Sequence, residues 1–261
     1  MKIQQIRNAA LRISFGGKLF LTDPWLAPKG ALGPLRDERY RFLSEEKARL
    51  PMPLCDLPMP VEAVLDGVDA YVVTHIHPDH IDMAPDGTVG APLCKATPVF
   101  VQSEEDAECF RRSGFKTVTV LGEATPFEGV TLRKTPALHG TKIPCGPACG
   151  VLFSHPSEKK LYIAGDTIWY DAVEAVIRRE APDVIVLNAC AAELVDQGRL
   201  IMDDEDVAAV CRTAPDASVV VSHMDTVSHA EITRPEMRER LAARSLLKRV
   251  DMPDDGEMLD F

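Results

Sequence analysis

The sequence has no apolar run near the ~20 residues of a membrane-spanning helix, so no membrane partner is expected. Its opening, MKIQQIRNAALRISF, lacks a continuous apolar core and a small-residue cleavage site. It reads as a first strand rather than a signal peptide. Positive charge is scarce: 29 Lys and Arg face 40 Asp and Glu, a formal net charge of -11. Such a field repels phosphodiester polymers, which argues against nucleic acid and for small-molecule partners. A disulfide framework is missing as well. The seven cysteines are scattered and odd in number, which points to free thiols in a cytoplasm. Only Cys145 and Cys149 lie close together, in CGPAC, and they read as two thiols in a Gly/Pro turn.

What is present is an ordinary globular mix, 46% hydrophobic and 26% charged, over 261 residues. That length suits one large α/β domain or two small ones; a single domain over 1–261 is expected, without short repeats or low-complexity linkers. The segment at about 26–62 is rich in Pro and Leu and too long for a plain connection. It reads either as a lid-like insertion or pocket wall, or as a peripheral helix with a Pro-rich return. The front half is strand-rich: Leu11–Phe15 and Lys18–Leu21 join through Gly16-Gly17, and AYVVT at 70–74 is a buried-type strand. Further strands are expected at 117–121, 130–135, 150–153, 161–164, 184–187 and 218–221. Helices are expected after Ser103, over 171–179, after Asp203, and over 233–247, where Thr233 and Glu236 make a capping box. A four-layer αββα sandwich is consistent with this order, which does not by itself select it.

The sharpest signal is THIHPDH at 74–80. Three imidazoles and a carboxylate lie within six residues just past a strand end, and both groups suit zinc, manganese or iron. Alternate residues of extended chain point the same way, so His75 and His77 can share one ion. The turn at Pro78-Asp79 can redirect Asp79 and His80 towards a second.

THIHPDH resembles the H-x-H-x-D-H signature of the metallo-β-lactamase superfamily, and further motifs follow in order along nearly the whole chain. Asp23 in LTDPWL resembles the family's early aspartate, His139 in ALHGT its third histidine, Asp166 in IAGDT its bridging aspartate and His223 in VVVSHMD its last histidine. The resemblance implies an α/β four-layer αββα sandwich holding two divalent ions, Zn²⁺ first, with Mn²⁺ or Fe²⁺ compatible. It assigns His75, His77 and His139 to one ion, Asp79, His80 and His223 to the other, and Asp166 between them. Asp23, with Thr74, would brace the ligands rather than bind metal.

The implied enzyme is a hydrolase that uses a metal-bridging hydroxide on a small-molecule ester. Asp79 would orient the nucleophile and His229 would protonate the leaving group. Trp169, Asn188 and Lys142 are candidate substrate contacts. Histidine at 77, where the flavodiiron branch carries Glu, favours hydrolysis over redox chemistry. The set LTDPWL, THIHPDHID, GDTIWY, VLNA and SHMDTVSH resembles the L-ascorbate-6-phosphate lactonase-like branch, which implies a lactone or phosphate-bearing metabolite. The alternatives are a phosphodiesterase of the same fold and a non-catalytic metal-binding scaffold. Homo-oligomer formation is compatible with the sequence.

Overall fold

The computed structural model describes residues 1–34 and 40–261, so the expected 26–62 insertion lies partly outside the described residues. The opening that reads as one strand is two. Asn8, at φ 54°, turns the chain between β1 (Lys2–Arg7) and β2 (Ala10–Phe15). Asparagine enters this left-handed region at lower cost than most residues. Gly16 and Gly17, at φ 60° and 76°, close the next hairpin onto β3 (Lys18–Thr22), the geometry that a tight two-residue turn requires.

The first sheet continues through parallel strands β4 (Ala70–Val73), β5 (Val99–Val101) and β6 (Val118–Val120). The second sheet begins with β7 (Thr125–Phe127), β8 (Val130–Pro136), β9 (Cys149–Ser154) and β10 (Leu161–Ile163), each antiparallel to the one before it. It continues through parallel β11 (Val184–Asn188), past a separate ribbon of β12 (Glu193–Leu194) and β13 (Gly198–Arg199), to parallel β14 (Ser218–Ser222) and β15 (Val250–Asp251). Strand β16 (Met258–Asp260) returns to pair with β1, giving seven strands in each large sheet.

Alternation along the strands builds the layers. In β4, Val72 joins Phe15, Phe20 and Phe153 in the core between the sheets. Its neighbours Tyr71 and Val73 face outward onto Val64 of α2 (Val61–Leu65) and Phe110 of α3 (Glu104–Arg112). On the far side, Ile185, Leu187, Val219 and Val221 lie under α4 (Asp171–Glu180), α5 (Asp204–Thr213) and α6 (Arg234–Ala243). Period-two strands thus sort their side chains into an inner and two outer apolar layers, giving the expected αββα order. The caps at Ser103 and Asp203 and the capping box at Thr233 also form as expected. The last helix stops at Ala243, short of 247, and Ser245 at φ 60° turns the chain away. Among the described residues no helix is long and apolar enough to cross a membrane.

One buried cation anchors the insertion. Arg7, fully buried and stacked 5.2 Å from the Trp25 ring, donates to the carbonyls of Trp25, Ala27 and Cys55 at 2.8–3.2 Å. Leu32 and Met52 then pair across the insertion by two backbone hydrogen bonds. The short helix Glu45–Ala48 is pinned by Lys47, which binds Glu231 and the Ala230 carbonyl.

Candidate metal centre

Five loops that leave strand ends meet on one rim of the two sheets. His75–His80 follow β4, His139 follows β8, Asp166 follows β10, Asn188 closes β11 and His223 follows β14. Several of these loops carry unusual backbone: Asp23 and His223 sit at φ 40° and 63°. Gly165, before Asp166, is at φ 68°, and a Cβ there would lie 2.4 Å from the Cys149 carbonyl oxygen. Only glycine lets that loop close on its neighbour and still present the aspartate.

The tautomers of the first three histidines follow from their outer partners. His77 Nε2 donates to the Cys145 carbonyl at 3.1 Å, and His139 Nδ1 donates to the Leu200 carbonyl at 3.1 Å. His75 Nδ1 lies 3.2 Å from the Thr74 hydroxyl, whose own proton is engaged on Asp23 Oδ2 at 2.8 Å, so this ring nitrogen also donates. A neutral imidazole carries one N–H. The inner nitrogens are therefore all lone pairs, and they face one another: His75 Nε2 is 2.9 Å from His77 Nδ1, which is 3.3 Å from His139 Nε2. Lone pairs so placed repel unless a cation lies among them, so the donor set fits a divalent ion.

The second half is richer in acid. His80 Nε2 lies 3.3 Å from Asp166 Oδ2 and 3.3 Å from His223 Nε2, which in turn is 3.3 Å from Asp79 Oδ2. Three sets of donor atoms fall within 4.8 Å of one another: His75, His77 and His139; His75, His80 and Asp166; and Asp79, His80 and His223. Asp166 Oδ2 also lies 3.7 Å from His139 Nε2 and 3.9 Å from His223 Nε2, a position between the two halves.

The electrostatics divide the same way. Burial, helped by neighbouring imidazoles, drives His75 well below the ordinary histidine range and His77 down to about 4. Burial lowers His139 too, partly offset by Asp166. Burial would also lower His80 and His223, yet Asp166 and the other carboxylates outweigh it, lifting His80 to about 10 and His223 well above its usual value. Asp79 and Asp166 stay well below the carboxylate range, because the imidazoles of His80 and His223 overcome the burial that opposes ionisation. Two buried carboxylates thus favour positive charge in this half, which a divalent ion would supply.

Asp23 and Thr74, the residues expected to brace the ligands, lie beside the histidine cluster. Asp23 accepts from the Thr74 N–H and hydroxyl, each at 2.8 Å, and lies 3.2 Å from His80 Nδ1. The three expected substrate contacts sit elsewhere. Asn188 donates its amide to Asp166 Oδ1 at 2.7 Å and so orients that aspartate. Trp169 packs against the apolar layer under the helices, and the exposed Lys142 donates to the Val195 carbonyl. None of the three lines the cavity above the cluster.

That cavity is lined by His77, Pro78, Asp79, His139, Cys145, Asp166, Ala192, Leu194, Leu200 and His229, with Tyr40 and Phe42 from the insertion. Phe42 lies edge-on to His229 at 5.7 Å and Tyr40 edge-on to His77 at 6.4 Å. Their strap docks on the β12–β13 ribbon: Phe42 bridges Leu194, the Val195 N–H donates to the Arg41 carbonyl, and Arg41 grips Asp196 through two nitrogens. Sequence reasoning missed Tyr40 and Phe42, although an aromatic pair two residues apart is the signal of an extended strap with one apolar face. Cys145 also lines the cavity, with its thiol pushed up to about 12 by burial, and all seven cysteines are free.

Comparison with known proteins agrees with this geometry. Residues 20–224 match the family model described as Beta-lactamase superfamily domain. The UPF0173 protein YddR of Bacillus subtilis (strain 168) is 40% identical over 265 residues, covering 100% of both chains. Among solved structures, an isothiocyanate hydrolase from Delia radicum gut bacteria superposes with a TM-score of 0.89 at 36% identity, covering 100% of this chain and 99% of its own. A possible metal-dependent hydrolase from Veillonella parvula DSM 2008 gives a TM-score of 0.91 at 32% identity, with the same coverage. The chain belongs to the beta-lactamase superfamily, among the UPF0173 proteins, and is a metal-dependent hydrolase of the metallo-β-lactamase fold.

Proposed function

We propose that this protein hydrolyses a small uncharged electrophile carried on an apolar group, with an isothiocyanate as the first candidate and a lactone as the second. The observation that carries this reading is the cavity lining. Tyr40, Phe42, Pro78, Ala192, Leu194 and Leu200 supply apolar walls, while histidines and aspartates form the reactive floor. The isothiocyanate hydrolase, 36% identical over the full chain, supports the choice of electrophile. The free thiols keep the cytoplasm as the expected location.

His75, His77 and His139 would hold one divalent ion, Asp79, His80 and His223 a second, with Asp166 between them. When bound, the ions supply an activated water and stabilise the negative charge that develops in the reaction. Asp79 would orient that water. His229, partly buried and pushed down to about 4 by burial, is neutral at neutral pH, so it gains a proton before it can give one. In isothiocyanate hydrolysis the water oxygen bonds to the central carbon and both of its protons end on nitrogen. The carbon–nitrogen bond breaks, releasing amine and carbonyl sulfide. In a lactone the ring carbon–oxygen bond breaks instead, and the proton goes to the alkoxide.

The test is a turnover panel on metal-replete protein: benzyl isothiocyanate, simple lactones and a chromogenic phosphodiester. Chelator-sensitive release of benzylamine is expected. Turnover of the phosphodiester alone would reject the reading, and no turnover with both ions bound would favour a metal-binding scaffold. Within this reading Phe42→Ala removes one apolar wall and leaves the polar floor intact. KM for benzyl isothiocyanate should rise about tenfold with kcat little changed, the mark of lost uniform binding. Full Michaelis curves for both proteins check this.

A further inference from the structure

We infer that Asn8 is a positioning residue dedicated to the second metal ion. This rests on the ligand set proposed above and goes beyond it, since no motif marks Asn8. The residue sits in the β1–β2 turn with its side chain fully buried. Its backbone carbonyl accepts from Gln5 Nε2 at 2.8 Å, the Ser222 hydroxyl at 2.9 Å and the His223 N–H at 3.0 Å. Its amide nitrogen donates to the Asp79 carbonyl at 2.9 Å and stands 3.0 Å from His223 Nε2. The Asp79 carbonyl can only accept, so the amide nitrogen, not the oxygen, must face it.

One residue therefore holds two ligand segments far apart in sequence, the Asp79 turn through its amide and the His223 N–H through its own carbonyl. Both belong to the Asp79, His80 and His223 set. The inner histidines of the other half are fixed by different partners: Thr74, Cys145 and Leu200. Asn8 shares no bond with that half. Loss of its amide should free the Asp79 turn, and with it one ligand of the second ion, and leave the first cation's cradle as it was. The left-handed backbone at Asn8, φ 54°, supplies the means of a clean test. Glycine adopts this conformation without strain and keeps the triply bonded carbonyl, so Asn8→Gly deletes the amide alone.

The experiment measures zinc stoichiometry after dialysis and the two stepwise zinc affinities by competition with a chelating dye, for wild type and Asn8→Gly. Thermal melts of both metal-free proteins accompany it. The expected result is an unchanged first affinity, a second affinity weakened by about tenfold or more, and closely similar metal-free melts. Equal weakening at both sites, loss of all zinc, or two unchanged affinities would each overturn the assignment. If wild type itself takes up fewer than two ions, the proposed ligand set fails, which is a separate outcome from failure at Asn8.

Discussion

A His77→Ala protein is expected to bind one metal ion fewer than wild type and to lose turnover on the order of 10³-fold or more. His77 Nδ1 stands next to the inner nitrogens of both His75 and His139, and its loss leaves that half two imidazoles. Two neutral donors and a shared carboxylate hold zinc weakly against dialysis. The fold should survive, because His77 is only partly buried and its outer nitrogen bonds a single carbonyl, that of Cys145. Metal analysis paired with a urea melt separates the two effects. Unchanged stoichiometry would remove His77 from the ligand set.

Asp166→Asn should be at least as damaging, with both ions weakened by about 100-fold and turnover again falling on the order of 10³-fold. Asp166 Oδ1 accepts the Asn188 amide, so an asparagine at 166 must place its own oxygen there. Its NH₂ group then occupies the Oδ2 position, 3.3 Å from His80 and 3.7 Å from His139, and turns hydrogens where a cation needs an electron pair. A negative charge is lost as well. In the metal-free protein this has a second readout. His80 is raised to about 10, and Asp166 is the largest influence raising it. A raised histidine stabilises the fold fully below its unfolded pKa of about 6.5, and the benefit disappears as pH climbs through the folded value. The metal-free variant should therefore lose much of that fall in stability between neutral and alkaline pH. A variant that binds two ions normally would show that Asp166 does not link the halves.

The parts of this centre differ in how openly the sequence displays them. The 75–80 cluster was legible because four donors crowd into one strand-to-loop segment, and such crowding has few other physical causes. His139, Asp166 and His223 are lone residues after strands and became legible only through resemblance. Asn188 was rightly placed at a strand end, yet its role depends on which way an amide turns, and it turns onto Asp166. Lys142 and Trp169 were judged by nearness in sequence to His139 and Asp166, but their side chains leave the rim in other directions. Asn8 was not legible at all. Its importance exists only once β14 and the 75–80 loop close around the β1–β2 turn, and no local pattern encodes that closure. Strand positions were readable from buried-type runs and the layer order only through the resemblance, whereas the break inside the opening strand hung on one left-handed asparagine.

Arg7 grips the departing and returning ends of the insertion while sitting on a strand of the first sheet. Between those two anchored ends Tyr40 and Phe42 reach the cavity and meet His77 and His229. Changed aromatics there would alter both what the cavity admits and the surroundings of those two imidazoles.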